Sequence, residues 1–273
     1  MSTQKVSPTF RRLLTGANGG EVLKPIIEAY LWDPKFPSFS IDIEGWKPKP
    51  PDGYFHPSTH PLMSERQLYY YLAEPHNLLH EVFDPTSTMT VTQGHFWHEF
   101  VQMVGLNAGF LLPSPHPTKG RNIAEWGFTD ADTMSRGHCD GVTNDLVCGT
   151  NEVFEFKSMR SPRADKIAKG RPDSPEVQAS FKALAPTYYA QAQEYMRISG
   201  YRRWRGVILS IEWPFPMREI VLDYDPFYAQ GIRDKYRSVL QAVADQRPPG
   251  MCCSGGKAAK DCFARATCPM GLL

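Results

Sequence analysis

The chain has 273 residues, a formal net charge of +1 at pH 7 and a charged share of 22%, which is ordinary for a globular protein. This near-neutral charge excludes a basic field over the whole molecule, so any contact with nucleic acid has to come from local patches. No N-terminal apolar stretch resembles a signal peptide, and no run reaches the roughly 20 apolar residues of a membrane helix. We therefore expect a soluble, cytoplasmic protein.

The predicted elements alternate between helices and strands. In chain order, the pattern predicts helices at 21–30, 64–73 and 90–110, strands at 125–129, 138–144 and 152–159, a helix at 175–199, strands at 205–213 and 218–224, and a helix at 226–246. Seven prolines between Pro34 and Pro61 exclude a long helix there and favour an extended segment. Ser64 is a natural N-cap for the helix that follows. This order predicts a mixed α/β fold with a small sheet.

The third predicted strand carries an acid and a lysine on one face. Residues two apart in a strand share a side of the sheet, so Glu155 and Lys157 should project together. Phe154 and Phe156 should then point into the core. A second acid, Asp140, lies on the strand predicted just before. This arrangement would hold a divalent metal beside a cationic donor, which suits phosphodiester hydrolysis.

Hard oxygen ligands are the ones that Mg²⁺ and Mn²⁺ prefer, and Asp140 and Glu155 supply carboxylates. The peptide carbonyl of Phe156 would add a third oxygen. Such a metal activates water and neutralises charge on the phosphate, while Lys157 would orient the water or stabilise the transition state. An acid-x-lysine triplet is also frequent on exposed strands, so by itself it is weak evidence.

Two further groups of residues flank this strand in the sequence. His98 would offer an imidazole to the same metal, although a lone histidine is more often simply a buried or surface residue. Gln191 and Tyr195 are four residues apart on a predicted helix and therefore face the same way. They would hold a DNA phosphate or the attacking water, or else be a surface glutamine and a packing tyrosine.

Taken together, these motifs resemble those of the PD-(D/E)XK nucleases. The matching residues, in the family's order, are His98, Gly137-x-x-Asp140, Glu155-x-Lys157 and Gln191-x-x-x-Tyr195. The chain looks most like the RecB-like branch, which includes CRISPR-associated exonucleases and exonucleases of tailed phages. Ser64-x-x-Gln-Leu-x-x-Tyr-Leu-x-x-Pro75 is similar to the helix that opens this branch, and residues 188–196 are similar to the Gln-containing helix of phage recombination exonucleases.

The resemblance covers residue 58 to the C-terminus, and it implies an organisation and a site. Residues 58–247 would form the restriction-endonuclease-like core, a small central mixed sheet flanked by helices. Residues 1–57 would be a partly helical, proline-rich extension, and 248–273 a cysteine-rich tail packed on the core. The catalytic Mg²⁺ or Mn²⁺ would be bound by His98, Asp140, Glu155 and the carbonyl of Phe156. Lys157 would assist the nucleophile, and Gln191 and Tyr195 would complete the site.

Four of the six cysteines lie close to the C-terminus, at Cys252, Cys253, Cys262 and Cys268. In an intracellular protein, such a cluster points to a metal more than to disulfides. RecB-like relatives often hold a [4Fe–4S] cluster with one cysteine from the first helix, but this chain has Glu74 where that cysteine is expected. A [4Fe–4S] cluster on the tail cysteines, a structural zinc and no metal all stay open. Cys139 and Cys148 fall in predicted sheet and are interpreted as small buried hydrophobes.

Basic residues follow the third strand directly, in a segment whose prolines and glycine predict a flexible loop. They are Arg160, Arg163, Lys166, Lys169 and Arg171. Beside a metal site they would bind DNA phosphates with little sequence preference, although most charged loops are only solvated. A second candidate is the stretch 201–205, whose arginines accompany Tyr201 and Trp204. These aromatics would stack on bases unless Trp204 enters the core.

The leading hypothesis is a metal-dependent DNA exonuclease that hydrolyses phosphodiester bonds at DNA ends or in single-stranded DNA, in recombination, repair or phage DNA metabolism. The resemblance implies DNA as a partner, a recombinase or single-strand-annealing protein as another, and the host cytoplasm as the location if a phage encodes the chain. An alternative is a non-catalytic DNA-binding or recombination-assembly factor that keeps the fold. A third, unrelated globular protein with a metal-binding tail, is favoured if Asp140 and Glu155 lie far apart.

Overall fold

The computed structural model describes residues 20–31, 51–78, 85–115, 124–210 and 216–270. The helices in these ranges are α1 (Leu23–Leu31), α2 (Glu65–Ala73), α3 (Pro85–Ala108), α4 (Asp145–Cys148), α5 (Ser161–Ala164), α6 (Pro175–Leu184), α7 (Pro186–Ser199), α8 (Pro226–Ala244) and α9 (Gly256–Lys260). The strands are β1 (Trp126–Asp130), β2 (Ser135–Cys139), β3 (Gly141–Val142), β4 (Val153–Met159), β5 (Arg203–Ser210) and β6 (Met217–Asp223). Most of the proline-rich segment lies outside the described ranges. Within them, no helix has the length and apolar character needed to cross a membrane.

The central sheet has four strands in the order β3-β4-β5-β6. Only its middle pair, β4 and β5, is parallel, and the two outer pairings are antiparallel. Strands β1 and β2 form a separate antiparallel pair. The parallel pair needs a long crossover, which the chain makes through α5, α6 and α7. The predicted mixed α/β fold with a small mixed sheet flanked by helices is confirmed.

Side-chain alternation along the central strands builds a core on each face of the sheet. On one face, Phe154, Phe156 and Val207 pack with residues of α1 and α3. On the other face, Trp204 and Ile208 pack with residues of α6 and α7. Phe154 and Phe156 thus enter the core as predicted, which turns the residues between and beside them towards the opposite face.

Two predicted elements are interrupted, and each break has a local cause. The helix expected at 175–199 is two helices, because Pro186 lacks an N–H and disfavours helical geometry at Ala185, whose φ of −133° and ψ of 56° are not helical. The strand expected at 138–144 stops at Cys139 and resumes at Gly141, so Asp140 stands in the gap. A further difference is that Cys148 ends a short helix instead of lying in the sheet.

Two elements also begin at residues other than those predicted. Helix α3 begins at Pro85, earlier than expected, since proline suits the first turn of a helix. Strand β5 begins at Arg203, two residues earlier than expected, and residues 211–213 of the predicted strand lie outside the described ranges. The predicted N-cap is present, because the Ser64 hydroxyl accepts the N–H of Gln67 at 3.2 Å in a capping box.

A third hydrophobic cluster joins the tail to the rest of the chain. It contains Tyr70 of α2, Val239 of α8, and Ala264 and Cys268 of the tail. The tail therefore packs against the surface formed by α2 and α8, away from the faces of the central sheet.

Candidate active site

The gap between β2 and β3 positions Asp140. Its carboxylate oxygen Oδ2 accepts the backbone N–H of Phe156 at 2.8 Å and lies 3.0 Å from Nδ1 of His98. The backbone carbonyl of Asp140 accepts a hydrogen bond from the side-chain amide of Gln102 at 2.9 Å. Because Phe156 is the neighbour of Glu155, these contacts bring the two predicted acids together. A wide separation of the two acids, which would have favoured the hypothesis of an unrelated protein, is therefore not found.

Glu155 and Lys157 project from the same face of β4, as predicted. The Lys157 Nζ donates to Glu155 Oε2 at 2.5 Å, and Glu155 is only 2% exposed. The same ammonium lies 5.3 Å from the ring centroid of Tyr188 on α7. A buried carboxylate and a half-buried ammonium are thus held side by side next to Asp140.

The carbonyl of Phe156 lies on the side of the strand that a ligand role requires. In a strand, the N–H and the C=O of one residue point to the same side. The Phe156 N–H points to Asp140 Oδ2, so its carbonyl is on that side as well. The ring of His98 meets the ring of Phe156 edge-on, with centroids 5.4 Å apart.

The surroundings shift the pKa values of Glu155 and Asp140 in opposite directions. Burial, followed by the nearby charge of Asp140, raises the pKa of Glu155 to about 7. Burial would also raise the pKa of Asp140, but the charge and hydrogen bond of His98 outweigh it and hold that pKa below its ordinary value. Burial lowers the pKa of Lys157, but Glu155 and Asp140 outweigh this effect and raise it. At neutral pH, this cluster of buried acids would be stabilised by additional positive charge.

Gln191 and Tyr195 lie behind this cluster and are both buried. The Tyr195 hydroxyl donates to the carbonyl of His138 at 2.5 Å. A side chain on Gly137 would come within 3.1 Å of the Tyr195 ring and 2.8 Å of Pro57, so glycine is needed there for this close approach. Tyr195 thus supports β2 from the rear, and the predicted direct contact with DNA or water does not match its position.

Two residues of the site were not singled out in the sequence. Tyr188 covers Lys157, and Gln102 holds the Asp140 carbonyl. A signal was present for both, because Gln102 is one turn after His98 and Tyr188 is one turn before Gln191. Residues at those spacings share a helix face with a candidate site residue.

The donor set suits a hard divalent cation in its chemistry, although the side chains now bind one another. Within the described ranges, no three His, Cys, Asp or Glu side chains form a group that is ready to hold a metal ion. Asp140 contacts His98, and Glu155 contacts Lys157. Two adjacent buried carboxylates, an imidazole and a carbonyl are nevertheless ligands that Mg²⁺ or Mn²⁺ would accept.

The basic segment after β4 is largely exposed, and part of it is the short helix α5 instead of the predicted loop. Arg163 donates to the carbonyl of Leu184 at 2.8 Å, and Arg171 forms an exposed ion pair with Asp173. The remaining members of the predicted DNA contact are exposed residues, namely Arg160, Lys166 and Lys169.

In the second candidate DNA contact, at 201–205, Trp204 enters the core instead of stacking on bases, while Arg202 is exposed. Trp204 is fully buried and stacks on Phe181 with ring centroids 5.8 Å apart. Arg205 is also buried and binds Glu152. These side chains alternate between two buried faces of β5, so neither the indole nor this guanidinium is available to DNA.

The four tail cysteines line one small cavity of about 20 Å³ together with residues of α2. Arg66 donates through Nε to Cys268 Sγ at 3.4 Å, and the Gln67 amide donates to Cys262 Sγ at 3.8 Å. The donor set of four thiols fits a metal that prefers sulfur, although these cysteines too are outside any ready-made group of metal ligands in the described part of the chain. A preformed site is not required, because metal binding commonly orders such segments.

Comparison with known proteins adds little. No protein-family profile and no curated protein matches the chain. Among solved structures, one titled "Crystal structure of SSO0001" is similar to it, with 12% identity, 92% of this chain and 96% of that chain covered, and a TM-score of 0.39. Likeness at this level supports no conclusion about fold or function.

Proposed function

We propose that this protein is a metal-dependent DNA nuclease of the PD-(D/E)XK type that acts as an exonuclease on DNA ends or single-stranded DNA. One observation carries the proposal. Asp140 is fixed on the Phe156 N–H, directly beside the ion pair of the buried Glu155 and the half-buried Lys157. A structural protein gains little from burying two adjacent acids with a lysine, whereas phosphodiester hydrolysis uses these groups together.

Each residue of the cluster has a role in this proposal. Asp140, Glu155, His98 and the carbonyl of Phe156 would hold Mg²⁺ or Mn²⁺. The bound metal supplies an activated water and charge neutralisation at the phosphate. Lys157 stays protonated, because the neighbouring acids raise its pKa, and it stabilises the charge that develops on the scissile phosphate.

The exposed basic segment after β4 would bind the DNA backbone. It leaves the strand that carries Glu155 and Lys157, so phosphates bound there continue towards the cluster. Contacts of this kind carry no sequence information, as suits an enzyme that degrades DNA of any sequence.

A thiolate-ligated centre on Cys252, Cys253, Cys262 and Cys268 belongs to the same proposal. Both a [4Fe–4S] cluster and a zinc ion suit four thiolates, and either would fasten the tail over α2 and α8. Their visible spectra distinguish them, since a zinc site is colourless.

The test compares Asp140→Asn with the parent on end-labelled single-stranded and duplex DNA, in Mg²⁺ and in Mn²⁺. Loss of one charged metal ligand should lower the cleavage rate at least about 100-fold, the scale seen when one electrostatic stabiliser is removed. Asp132→Asn is the matched control, because Asp132 is an exposed acid paired with surface arginines. Thermal melts establish that both variants fold. Equal cleavage by Asp140→Asn and the parent would show that the site is wrongly assigned.

A second candidate is a DNA-binding or recombination-assembly factor without catalysis. The mutual pairing of His98 with Asp140 and of Lys157 with Glu155 favours it, since the groups satisfy one another without a metal. Binding of labelled DNA with no cleavage in either metal would support this candidate. Failure to cut circular single-stranded DNA, with linear DNA degraded, would support an exonuclease.

A further inference from the structure

A buried arginine on α2 faces the tail cysteines. Arg66 is 7% exposed, and it donates to Cys268 Sγ at 3.4 Å and to the Tyr70 hydroxyl at 3.1 Å. It also donates to the carbonyl of Pro249, where the tail begins. One guanidinium therefore contacts both the first residues of the tail and its last cysteine.

The charge of Arg66 has no carboxylate partner among the described residues, which is unusual for a buried cation in this chain. Arg197 and Arg205 have side chains that are 9% and 4% exposed, and each contacts two carboxylates. A guanidinium that is withdrawn from water without a carboxylate partner is stabilised by any other negative charge that approaches it. The environment of Arg66 contains sulfur, a hydroxyl and a carbonyl instead.

Sulfur is the group at this site that can supply the missing negative charge. The four cysteines line the cavity that Arg66 enters. Four thiolates around a divalent metal or a [4Fe–4S]²⁺ cluster leave a net negative charge. The capping box also contributes, because Gln67 uses its carbonyl oxygen on Ser64 and so directs its amide N–H towards Cys262 Sγ at 3.8 Å.

We infer that Arg66 is the counter-ion of an anionic thiolate-ligated metal centre on the tail cysteines, with Gln67 as a second positioning residue. Helix α2 thus contributes a cation and an amide to this centre and no metal ligand. Because Arg66 also holds the Pro249 carbonyl, the same side chain ties the start of the tail to α2 beside this centre. The inference rests on the proposed tail centre and is independent of nuclease activity.

The experiment compares Arg66→Met and Arg66→Lys in the full chain. Each is purified anaerobically and loaded either with Zn²⁺ or with ferrous iron and sulfide, and bound zinc, iron and sulfide are counted before and after a chelator challenge. We expect Arg66→Met to lose its metal about tenfold faster than the parent, the effect of roughly 1.4 kcal/mol. Arg66→Lys, which keeps the charge, should fall between them. Arg237→Met removes an exposed arginine of α8 and should match the parent.

Unfolding measurements on metal-loaded and metal-free protein distinguish a counter-ion role of Arg66 from a purely structural one. A counter-ion role requires Arg66→Met to destabilise the loaded form and to leave the metal-free form unchanged or more stable, because the substitution removes an uncompensated buried charge. Equal destabilisation of both forms overturns the inference, as does a parent chain that retains neither zinc nor iron. Metal content is read without DNA, so the comparison of the Arg66 variants stands whether or not the protein cuts DNA, and a failure to cut removes only the nuclease proposal.

Discussion

The two acids of the candidate site, Asp140 and Glu155, are neighbours with different partners. Asp140 has a histidine and a backbone N–H, which hold its pKa down, whereas burial raises the pKa of Glu155 to about 7. Divergent pKa values in adjacent acids are typical of sites where a proton or a cation is exchanged. The site therefore derives its chemical character from the partners of each acid more than from the number of acids.

Another residue with a strongly shifted pKa lies in the loop that supports β2. Burial, followed by the charge of His56, lowers the pKa of His60 to about 3. Its Nδ1 accepts the backbone N–H of His56 at 2.6 Å, and its ring packs on Tyr71 with centroids 4.3 Å apart. The folded state therefore holds this ring neutral.

We predict that His60 makes the protein sensitive to acid. Between pH 6.5 and 3, the unfolded chain binds a proton at this residue that the folded chain does not bind. Its contribution to the free energy of unfolding is complete above pH 6.5 and falls by ~1.4 kcal/mol for each pH unit below it. Urea unfolding at several pH values should show this slope in the parent and a flatter one in His60→Asn, whose side-chain oxygen can still accept the His56 N–H.

The matched control is His76→Asn, because His76 is an exposed histidine of the turn after α2. Its pH dependence should follow the parent. If His60→Asn kept the full slope of the parent, the neutral buried state of His60 would be excluded.

At the scale of elements, one carboxylate joins strand β6 to helix α1. Glu219 Oε2 accepts the backbone N–H groups of Val22 and Leu23, each at 2.8 Å, and that of Lys24 at 3.3 Å. Its other oxygen pairs with the buried Arg205. The first turn of a helix has unsatisfied N–H groups and a partial positive charge, and Glu219 satisfies both from a distant strand.

We predict that Glu219→Gln destabilises the protein by ~3 kcal/mol, since it removes the charge from a buried ion pair. The neutral amide also places an N–H₂ group where an oxygen now faces either the helix donors or Arg205. Hydrogen exchange should show faster exchange in α1 than in β5. Glu28→Gln alters the same side chain on the exposed face of α1 and should change stability by less than about 0.5 kcal/mol.

At the scale of the molecule, charge is distributed without a dominant field. The formal net charge is +1, and many of the described arginines contact acids within the chain. If the protein binds DNA, attraction has to come from the exposed basic segment after β4. Binding should then depend on salt and on a few residues, and not on the charge of the whole molecule.

We predict that the double substitution Lys166→Glu and Lys169→Glu weakens DNA binding equally for unrelated sequences. The slope of log K against log salt concentration should fall by roughly 0.7 to 0.9 for each DNA phosphate that the protein no longer neutralises. Lys257→Glu with Lys260→Glu makes the same charge change on the exposed surface of α9 and is the control. Fluorescence anisotropy at several salt concentrations measures DNA binding by both double variants. If the two double substitutions weakened binding equally, the segment after β4 would have no special role.

Local features of this protein were accessible from sequence alone. The shared face of Glu155 and Lys157, the N-cap at Ser64 and the mixed α/β class follow from preferences that act over a few residues. The break at Pro186 was also accessible from the sequence, because proline is a helix-breaking residue, although one helix was predicted over 175–199.

Only the tertiary structure decided which distant segments meet. It places Asp140 on the Phe156 N–H, buries Trp204 in the core, turns Tyr195 to the rear of β2, and brings Arg66 to Cys268, 202 positions later in the chain. Periodicity assigns a side chain to a face of its own helix or strand, but its partner depends on how several elements pack together. Sequence alone therefore determined the candidate acids, lysine and thiols, and packing determined which charges and donors surround each of them.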